Sequence, residues 1–259
     1  MFTVTDAQIN AWLATLFWPF CRIMAVFTLD PFYSSRSIPI RIRAVLALLI
    51  SLLIAGSIPP MPAIEPVSPL GIMIMAQQIV IGLAIGYVMR LVFTSIEMAG
   101  NLAGLQMGLG FASFYDPQHA ANTAVVAQLA SLMTLLLFLA MNGHLVVIEM
   151  VVRSFIMLPI TAEPLKAAPF QTLVLAGGQV FELGLLLALP VVGALLVTNL
   201  SIGVMTRAAP QFNVFAVGFP ITLSIGVAAL ATTLPQFVPH VQHLIDWATR
   251  LSLQLAKAF

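Results

Sequence analysis

The sequence predicts an all-α, polytopic membrane protein whose helices are interrupted by proline, glycine and charged residues. Apolar residues make up 61% of the chain and charged residues only 7%. Soluble domains are about a quarter charged, so a folded soluble monomer could not cover its surface with this residue set. A length of 259 residues allows about six to eight membrane helices of about 20 residues each. The net charge of +1 provides no broad basic face, which argues against a nucleic-acid partner.

The chain reads as one domain, residues 1–259, built from apolar stretches and an amphipathic tail. The stretches cover residues 9–29, 44–58, 70–98, 124–152, 170–205 and 214–238, and the tail covers residues 240–259. Apolar residues of the tail recur at helical spacing, which predicts a helix with one apolar face.

The connectors predict the orientation in the membrane. The first connector carries Arg36, Arg41 and Arg43, whereas the second, residues 59–69, carries Glu65 and no basic residue. Because cytoplasmic loops are enriched in Lys and Arg, the first connector is expected in the cytoplasm and the N-terminus outside it. Six crossings would leave the C-terminus outside as well, although the two basic residues of the tail favour the cytoplasm.

Several apolar stretches contain residues that interrupt helices. Pro19, Pro190, Pro220 and the pair Gly177–Gly178 lie inside them, and residues 100–119 read as neither a regular helix nor a strand. In hydrocarbon every backbone polar group needs an internal partner, so a broken helix is tolerated only inside protein or against water. We therefore expect helices that pack against protein or line a lumen.

Glycines recur at a spacing that suits close helix packing. Gly82 and Gly86 are four residues apart, and Gly100, Gly104 and Gly108 repeat that interval. Such spacing leaves a flat strip on one helix face and lets another backbone approach. We expect close helix packing at the first four. For the series Gly100, Gly104 and Gly108 we also expect a special conformation, because aromatic and polar residues follow directly.

Charged residues at membrane depth are costly and are often functional. The candidates for a subunit interface or a lumen are Arg90, Glu97, Glu182 and Arg207. Arg90 and Glu97 are two helical turns apart on one face, and Glu182 has no neighbouring cation in sequence. Glu149 and Arg153 are four apart, so we expect them to pair along one helix.

No enzymatic chemistry is indicated. The sequence contains no zinc-protease, nucleophile-elbow or phosphate-loop motif and no Cys/His metal spacing. His240 and His243 do not complete a metal site, and we expect no cofactor. An alternative to a structural role is a secondary transporter or ion channel, in which Glu182, Asn199 and Arg207 would coordinate a substrate. The absence of an inverted repeat argues against it.

Ordered motifs along nearly the whole chain resemble the FliR family of flagellar biosynthetic proteins, which is related to the SctT subunit of virulence injectisomes. The strongest is the segment RAAPQFNVFAVGFP at residues 207–220. The other matching segments are FWPFCRI at 17–23, RSIP at 36–39, GLQMGLGFA at 104–112, DP at 116–117, NGHL at 142–145 and LALP at 187–190. Some relatives carry a second His where this chain has Leu145, so no role is transferred to that position.

The resemblance implies a subunit of a type III protein export gate. Members of the family assemble with FliP and FliQ into a helical hetero-oligomeric complex, alongside FlhB and FlhA, in the bacterial inner membrane at the flagellar basal body. The fold implied is a FliP-like part followed by a FliQ-like part, with helical hairpins that do not all cross the lipid bilayer. The cargo implied is unfolded flagellar protein. Whether the system is flagellar or an injectisome stays open, with the detail of residues 104–117 favouring the flagellum.

The resemblance also implies a plug in the lumen of the gate, formed by about residues 106–122. The plug residues are Gln106, Gly108, Gly110, Phe111, Phe114, Tyr115, Asp116 and Pro117. Glycines permit the chain to leave helical geometry, the aromatic rings suit a narrow lumen, and Asp-Pro favours a turn.

Overall fold

A computed structural model describes residues 6–59, 64–111, 125–211 and 214–259. Within these ranges all regular secondary structure is helical, with seven α-helices and a 3-10 turn at Leu109–Phe111. The α-helices are α1 (Asp6–Leu29), α2 (Ile40–Ile54), α3 (Pro69–Gln106), α4 (Val125–Ala140), α5 (Gly143–Met157), α6 (Ala168–Ala208) and α7 (Val214–Ala258). The predicted all-α class is confirmed.

Three helices are long and apolar enough to cross a membrane. They are α3, α6 and the part of α7 from Val217. A fourth candidate is the bent pair formed by α4 and α5, if the pair counts as one span. The described part of the chain is therefore that of a polytopic helical membrane protein.

The prolines inside the helices do not break them, contrary to our expectation. Pro19 lies inside α1, Pro190 inside α6 and Pro220 inside α7. Gly177 and Gly178 likewise lie within the continuous α6. A proline removes one backbone hydrogen bond, and neighbouring groups in a long membrane helix can satisfy the freed carbonyl. The hydrogen bonds of the remaining turns keep these helices continuous.

The apolar stretch 124–152 consists of two helices, because the chain turns at Asn142. This residue has a φ of 57° and precedes α5 directly. The left-handed region is costly for most residues, but Asn enters it more readily than others. The backbone N–H groups of Leu145 and Val146 then donate to the Asn142 carbonyl and begin α5.

The helix N-termini follow familiar sequence rules. Pro39 precedes α2 in an extended conformation with ψ of 145°. Pro69 is the first residue of α3, where its missing N–H would have no helical partner anyway. The Ser68 hydroxyl accepts a hydrogen bond from the Gly71 N–H at 3.1 Å, which caps α3.

The chain divides into two compact units. The first unit contains residues 1–91, 141–177 and 245–259. Here α1 packs against α2, and the core is built from side chains of α1, α3 and α5, including Trp18, Phe27, Ile81, Met89, Met150 and Phe155. The tail closes this unit, since Ile245, Ala248 and Leu255 are buried and the Phe259 ring lies 5.5 Å from that of Phe170.

The second unit contains residues 92–140 and 178–244. Its core is a cluster of buried side chains from α3, α4 and α6: Ala103, Met107, Val126, Val191 and Leu195. Side chains of α7, among them Leu223 and Leu230, pack against this cluster and are partly buried. The end of α3 is therefore fixed inside the second unit.

Candidate functional site

Met107 directly follows α3 and is fixed in the core of the second unit. Its side chain is 1% exposed, and a Cβ added at Gly226 would lie 2.5 Å from the Met107 Cγ. The Thr222 hydroxyl donates to the Met107 carbonyl at 3.3 Å. Two residues of α7 therefore fix Met107. Gly226 leaves room for its side chain, and Thr222 donates a hydrogen bond to its carbonyl oxygen.

Gly108 ends the helix by a backbone conformation that side chains rarely adopt. Gly100 and Gly104 lie within the regular α3, so the special conformation expected at these two positions was wrong. The φ of Gly108 is 85°, and the 3-10 turn Leu109–Phe111 follows directly. A glycine enters this region without the steric cost of a Cβ. The chain thus changes direction between a fixed Met107 and the segment that follows.

The remaining plug candidates fall largely outside the described residues. The backbone is described as far as Phe111, whereas Phe114, Tyr115, Asp116 and Pro117 lie in residues 112–124. Gln106 and Gly110 are partly exposed on the described side. Their proposed action in a lumen stays a prediction.

The four glycines expected at helix contacts lie against other backbones or side chains. At Gly82 a Cβ would meet the Arg22 carbonyl oxygen and lie 2.7 Å from the Ala25 Cβ. At Gly86 it would lie 2.7 Å from the Val26 carbonyl oxygen.

In the second unit Gly100 and Gly104 face α4. A Cβ at Gly100 would lie 2.5 Å from the Ala127 Cα, so the two backbones approach closely there. At Gly104 the nearest atoms belong to the Val126 side chain at 3.6 Å, an ordinary contact distance. The close approach of α3 and α4 therefore requires the glycine at position 100, whereas a Cβ at position 104 would lie at an ordinary contact distance.

A cavity of about 120 Å³ lies beside Gly100 in the second unit. Its walls are mainly apolar, with Ala103 and Val126 among them, and Thr233, Gln236 and His240 of α7 supply polar groups. The His240 Nδ1 lies 2.9 Å from the Gln236 carbonyl oxygen. Among the residues that the structure covers, no group of three or more His, Cys, Asp or Glu side chains is placed to hold a metal ion.

The four charges predicted for an interface or a lumen are all exposed. Arg90 and Glu97 lie on α3, and Glu182 and Arg207 lie on α6. The structure does not bring Glu182 into an ion pair with any described residue. The predicted pair on α5 is confirmed, since Arg153 Nη2 and Glu149 Oε1 are 2.7 Å apart.

Arg22 forms a buried polar cluster that the sequence analysis did not single out. Its side chain is 0% exposed and donates to Gln78 Oε1 at 2.8 Å, Ser154 Oγ at 3.1 Å and the Leu158 carbonyl at 3.1 Å. The guanidinium carbon also lies 4.1 Å from the Phe155 ring centroid. One cation therefore joins α1, α3 and α5. An arginine inside an apolar stretch is the only sequence signal for it.

Asp30 forms a second buried cluster directly after α1. Its Oδ1 accepts hydrogen bonds from the N–H groups of Phe32 and Tyr33, both at 3.0 Å, while Oδ2 has no partner among the described residues. The Tyr33 hydroxyl donates to the His144 carbonyl at 3.1 Å. Burial raises the pKa of Asp30 to about 6, against the opposing effect of the two backbone hydrogen bonds. Burial, and then the Asp30 charge, raise the pKa of Tyr33.

These features define a class: a polytopic helical membrane protein held by close helix contacts, with a fixed glycine turn at the end of one long helix. Residues 13–248 match the family described as "Bacterial export proteins, family 1". The flagellar biosynthetic protein FliR of Escherichia coli strain K12 is 41% identical over 95% of this chain and 94% of its own length. The corresponding protein of Pectobacterium carotovorum is 42% identical over the same shares.

A more distant relative matches along most of the chain as well. FliR of Aquifex aeolicus is 30% identical over 86% of this chain and 86% of its own length. The chain belongs to family 1 of the bacterial export proteins and, within it, to the FliR proteins.

Proposed function

We propose that this chain is a non-enzymatic subunit of the flagellar type III protein export gate, in the bacterial inner membrane at the base of the flagellum. Its similarity to flagellar FliR proteins over 95% of its length carries the proposal. The three apolar helices long enough to cross a membrane support it. The match favours the flagellar system over the injectisome that the sequence alone left open.

In this proposal the chain works in a complex. The partners are FliP-like and FliQ-like subunits, with FlhB and FlhA completing the apparatus and unfolded flagellar proteins as cargo. In the apolar, membrane-length part of α6 only 28% is buried within the chain, and in that of α7 only 17%. Helices with so little intramolecular contact are consistent with a protein that is completed by neighbouring subunits or lipid.

The glycine turn gives the proposed plug its point of attachment. Met107 is fixed in the core of the second unit, and Gly108 redirects the chain immediately afterwards. We propose that residues 106–122 close the lumen at rest and that the part beyond Gly108 gives way when cargo passes.

Deletion of Gly110–Asp116 tests the plug. The chain is co-expressed with its FliP-like and FliQ-like partners, the complex is purified, and its ion conductance is measured in planar bilayers. We expect an intact complex with increased conductance, because the deletion begins after the Met107 anchor. A control that replaces the same residues with an equally long Gly-Ser segment separates the loss of the aromatic rings from the shortened chain.

Two results would count against the proposal in different ways. An intact complex with unchanged conductance would contradict the proposed plug but would not contradict the proposal that the chain is a gate subunit. A wild-type chain that purifies alone as a stable monomer and moves a small solute would contradict the gate subunit itself and favour a transporter.

A further inference from the structure

One side of the short helix α2, in the first unit, is exposed and apolar. Positions three and four residues apart recur along it, which places them on one side of an α-helix. The row, called here the α2 face, consists of Arg41, Val45, Leu48, Leu49, Leu52 and Leu53. Its apolar members are between 50% and 78% exposed. A continuous apolar surface of this kind marks contact with another molecule or with a membrane.

The sizes of the residues on the two sides of α2 distinguish a lipid from a second helix. The small residues Ala47 and Ser51 are 0% exposed and lie on the side opposite to the α2 face. The α2 face itself contains no Gly, Ala or Ser, although contacts between membrane helices are enriched in such residues because they let two backbones approach. Lipid tails are as apolar as leucine, so large side chains suit them. The composition of the face therefore favours lipid.

Two arginines at the start of α2 have no partner within the described part of the chain. Arg36 and Arg41 are exposed and form no hydrogen bond or ion pair there. Arg43 differs, since its guanidinium donates to three backbone carbonyls of the first connector at 2.7 to 3.1 Å. These bonds fix the connector that carries Arg36 to the start of α2. Two cations therefore lie at one end of the α2 face and are free to bind an anion.

The length of the α2 face matches one leaflet of a bilayer. From Arg41 to Leu53 the helix rises by about 18 Å, at about 1.5 Å per residue, and half of the hydrocarbon core is about 15 Å thick. The whole of α2 has 15 residues and measures about 22 Å, which is less than the full hydrocarbon thickness of about 30 Å. When the leucines lie among the acyl chains of one leaflet, Arg41 lies at the depth of its headgroups.

We infer that Arg36, Arg41 and the α2 face bind an anionic phospholipid. The guanidinium groups bind the phosphate, for which their planar donors are suited, and the acyl chains lie along the leucines. The first connector is expected in the cytoplasm, and the cytoplasmic leaflet carries the negative surface potential that attracts basic residues next to membrane segments. The inference goes beyond the proposed function, because it requires a membrane but no export partner.

The lipid preference of the purified protein tests the inference. The full chain is purified in detergent with any co-expressed subunits that accompany it and is stripped of lipid. Binding of phosphatidylglycerol and of phosphatidylcholine with the same acyl chains is then measured by native mass spectrometry. We expect phosphatidylglycerol to bind at least about tenfold more tightly, because each arginine adds to the attraction. The double variant Arg36→Gln with Arg41→Gln should lose this preference but fold as the wild type does, since neither side chain has a described partner.

Two controls separate this site from general attraction by charge. Arg250 and Lys257 are exposed on α7, so Arg250→Gln with Lys257→Gln removes the same number of positive charges elsewhere in the first unit. This control should keep the preference for phosphatidylglycerol. Glycerol 3-phosphate, which has a phosphate but no acyl chains, should not displace the lipid.

A photo-crosslinking residue in place of Leu48 identifies the molecule that covers the face in the membrane. An adduct with phosphatidylglycerol supports the inference, whereas a crosslink to a protein subunit would show that a partner helix lies there and would overturn it. Equal binding of the two lipids by the wild type would overturn it as well, and so would a preference that survives in the Arg36→Gln, Arg41→Gln variant. Displacement by glycerol 3-phosphate would show a site for phosphate alone and would exclude the α2 face from it.

Discussion

Two arginines of this chain show how burial determines what one side chain contributes. Arg153 is paired with Glu149 at the surface, with 54% of its side chain exposed. Arg22 is enclosed and bridges Gln78, Ser154 and Leu158. Exposed ion pairs contribute little because water screens them, whereas a buried cation depends on every hydrogen bond that replaces its water.

Arg22→Lys should lower the free energy of unfolding by about 2 to 4 kcal/mol, because an ammonium group cannot reach three acceptors in different directions. Thermal unfolding of the detergent-solubilised complex measures the effect. Arg153→Lys is the control and should change stability by no more than about 0.5 kcal/mol. Equal effects of the two substitutions would show that the buried hydrogen bonds of Arg22 contribute no more to stability than the surface ion pair of Arg153.

The Asp30 carboxyl should make stability depend on pH. Its pKa is raised from 3.8 to about 6 in the folded chain, so folding favours the protonated form. The corresponding stability is fully present below pH 3.8 and is lost as the pH rises through about 6, with a total of about 3 kcal/mol. The unfolding temperature of the wild type should therefore fall as the pH rises from about 4 to about 6 and level off above that.

Asp30→Asn should flatten that dependence, because the amide oxygen still accepts from Phe32 and Tyr33 but carries no charge. Both proteins are compared in a His144→Gln background, so that only the group at position 30 differs. Parallel curves for the two proteins between about pH 4 and about pH 6 would contradict the assignment to Asp30.

At the scale of helices, the contact of α1 with α3 depends on the absence of side chains. Gly82 faces Arg22 and Ala25, and Gly86 faces Val26 and Leu29. Residue numbers increase in the same direction along both helices at these contacts, so α1 and α3 run parallel where they touch. Parallel neighbours need a connection that returns along the bundle, and α2 provides it by packing against α1.

Gly82→Ala should separate these helices, because the new methyl group would meet the Arg22 carbonyl oxygen of a rigid backbone. We expect a loss of at least about 2 kcal/mol, as for other overpacked cores, or a fall of about 4 to 8 °C in unfolding temperature. Gly56→Ala adds the same methyl group in open space and serves as the control. A Gly82→Ala protein as stable as the Gly56→Ala protein would contradict the close contact.

At the scale of the whole molecule, the features that could be predicted from the sequence are those that depend on residues close together in the chain. Composition and apolar runs predicted helices in a membrane, and the spacing of Glu149 and Arg153 predicted their ion pair. The predicted breaks at Pro19, Pro190 and Pro220 were wrong, because the residues around a proline decide whether the helix continues. The true break at Asn142 depends on a left-handed backbone that many Asn residues never adopt.

The Arg22 cluster could not be predicted for a different reason. Its hydrogen-bond partners lie 56, 132 and 136 residues away in the chain, and no local pattern brings them together. Asp30 is similar, because its burial comes from tertiary packing. Among the proposed plug residues, the turn at Gly108 agrees with its residue type, whereas Phe114, Tyr115, Asp116 and Pro117 lie outside the described residues.

The first unit contains segments from the beginning, the middle and the last part of the sequence, with residues 245–259 among them. Because the ribosome synthesises the chain from its N-terminus, α1, α2 and the first part of α3 are made long before the residues that complete their core. During this interval their apolar surfaces are open to chaperones, to the insertion machinery and to neighbouring nascent chains. The order of synthesis thus keeps the first unit incomplete until residues 245–259 have been translated.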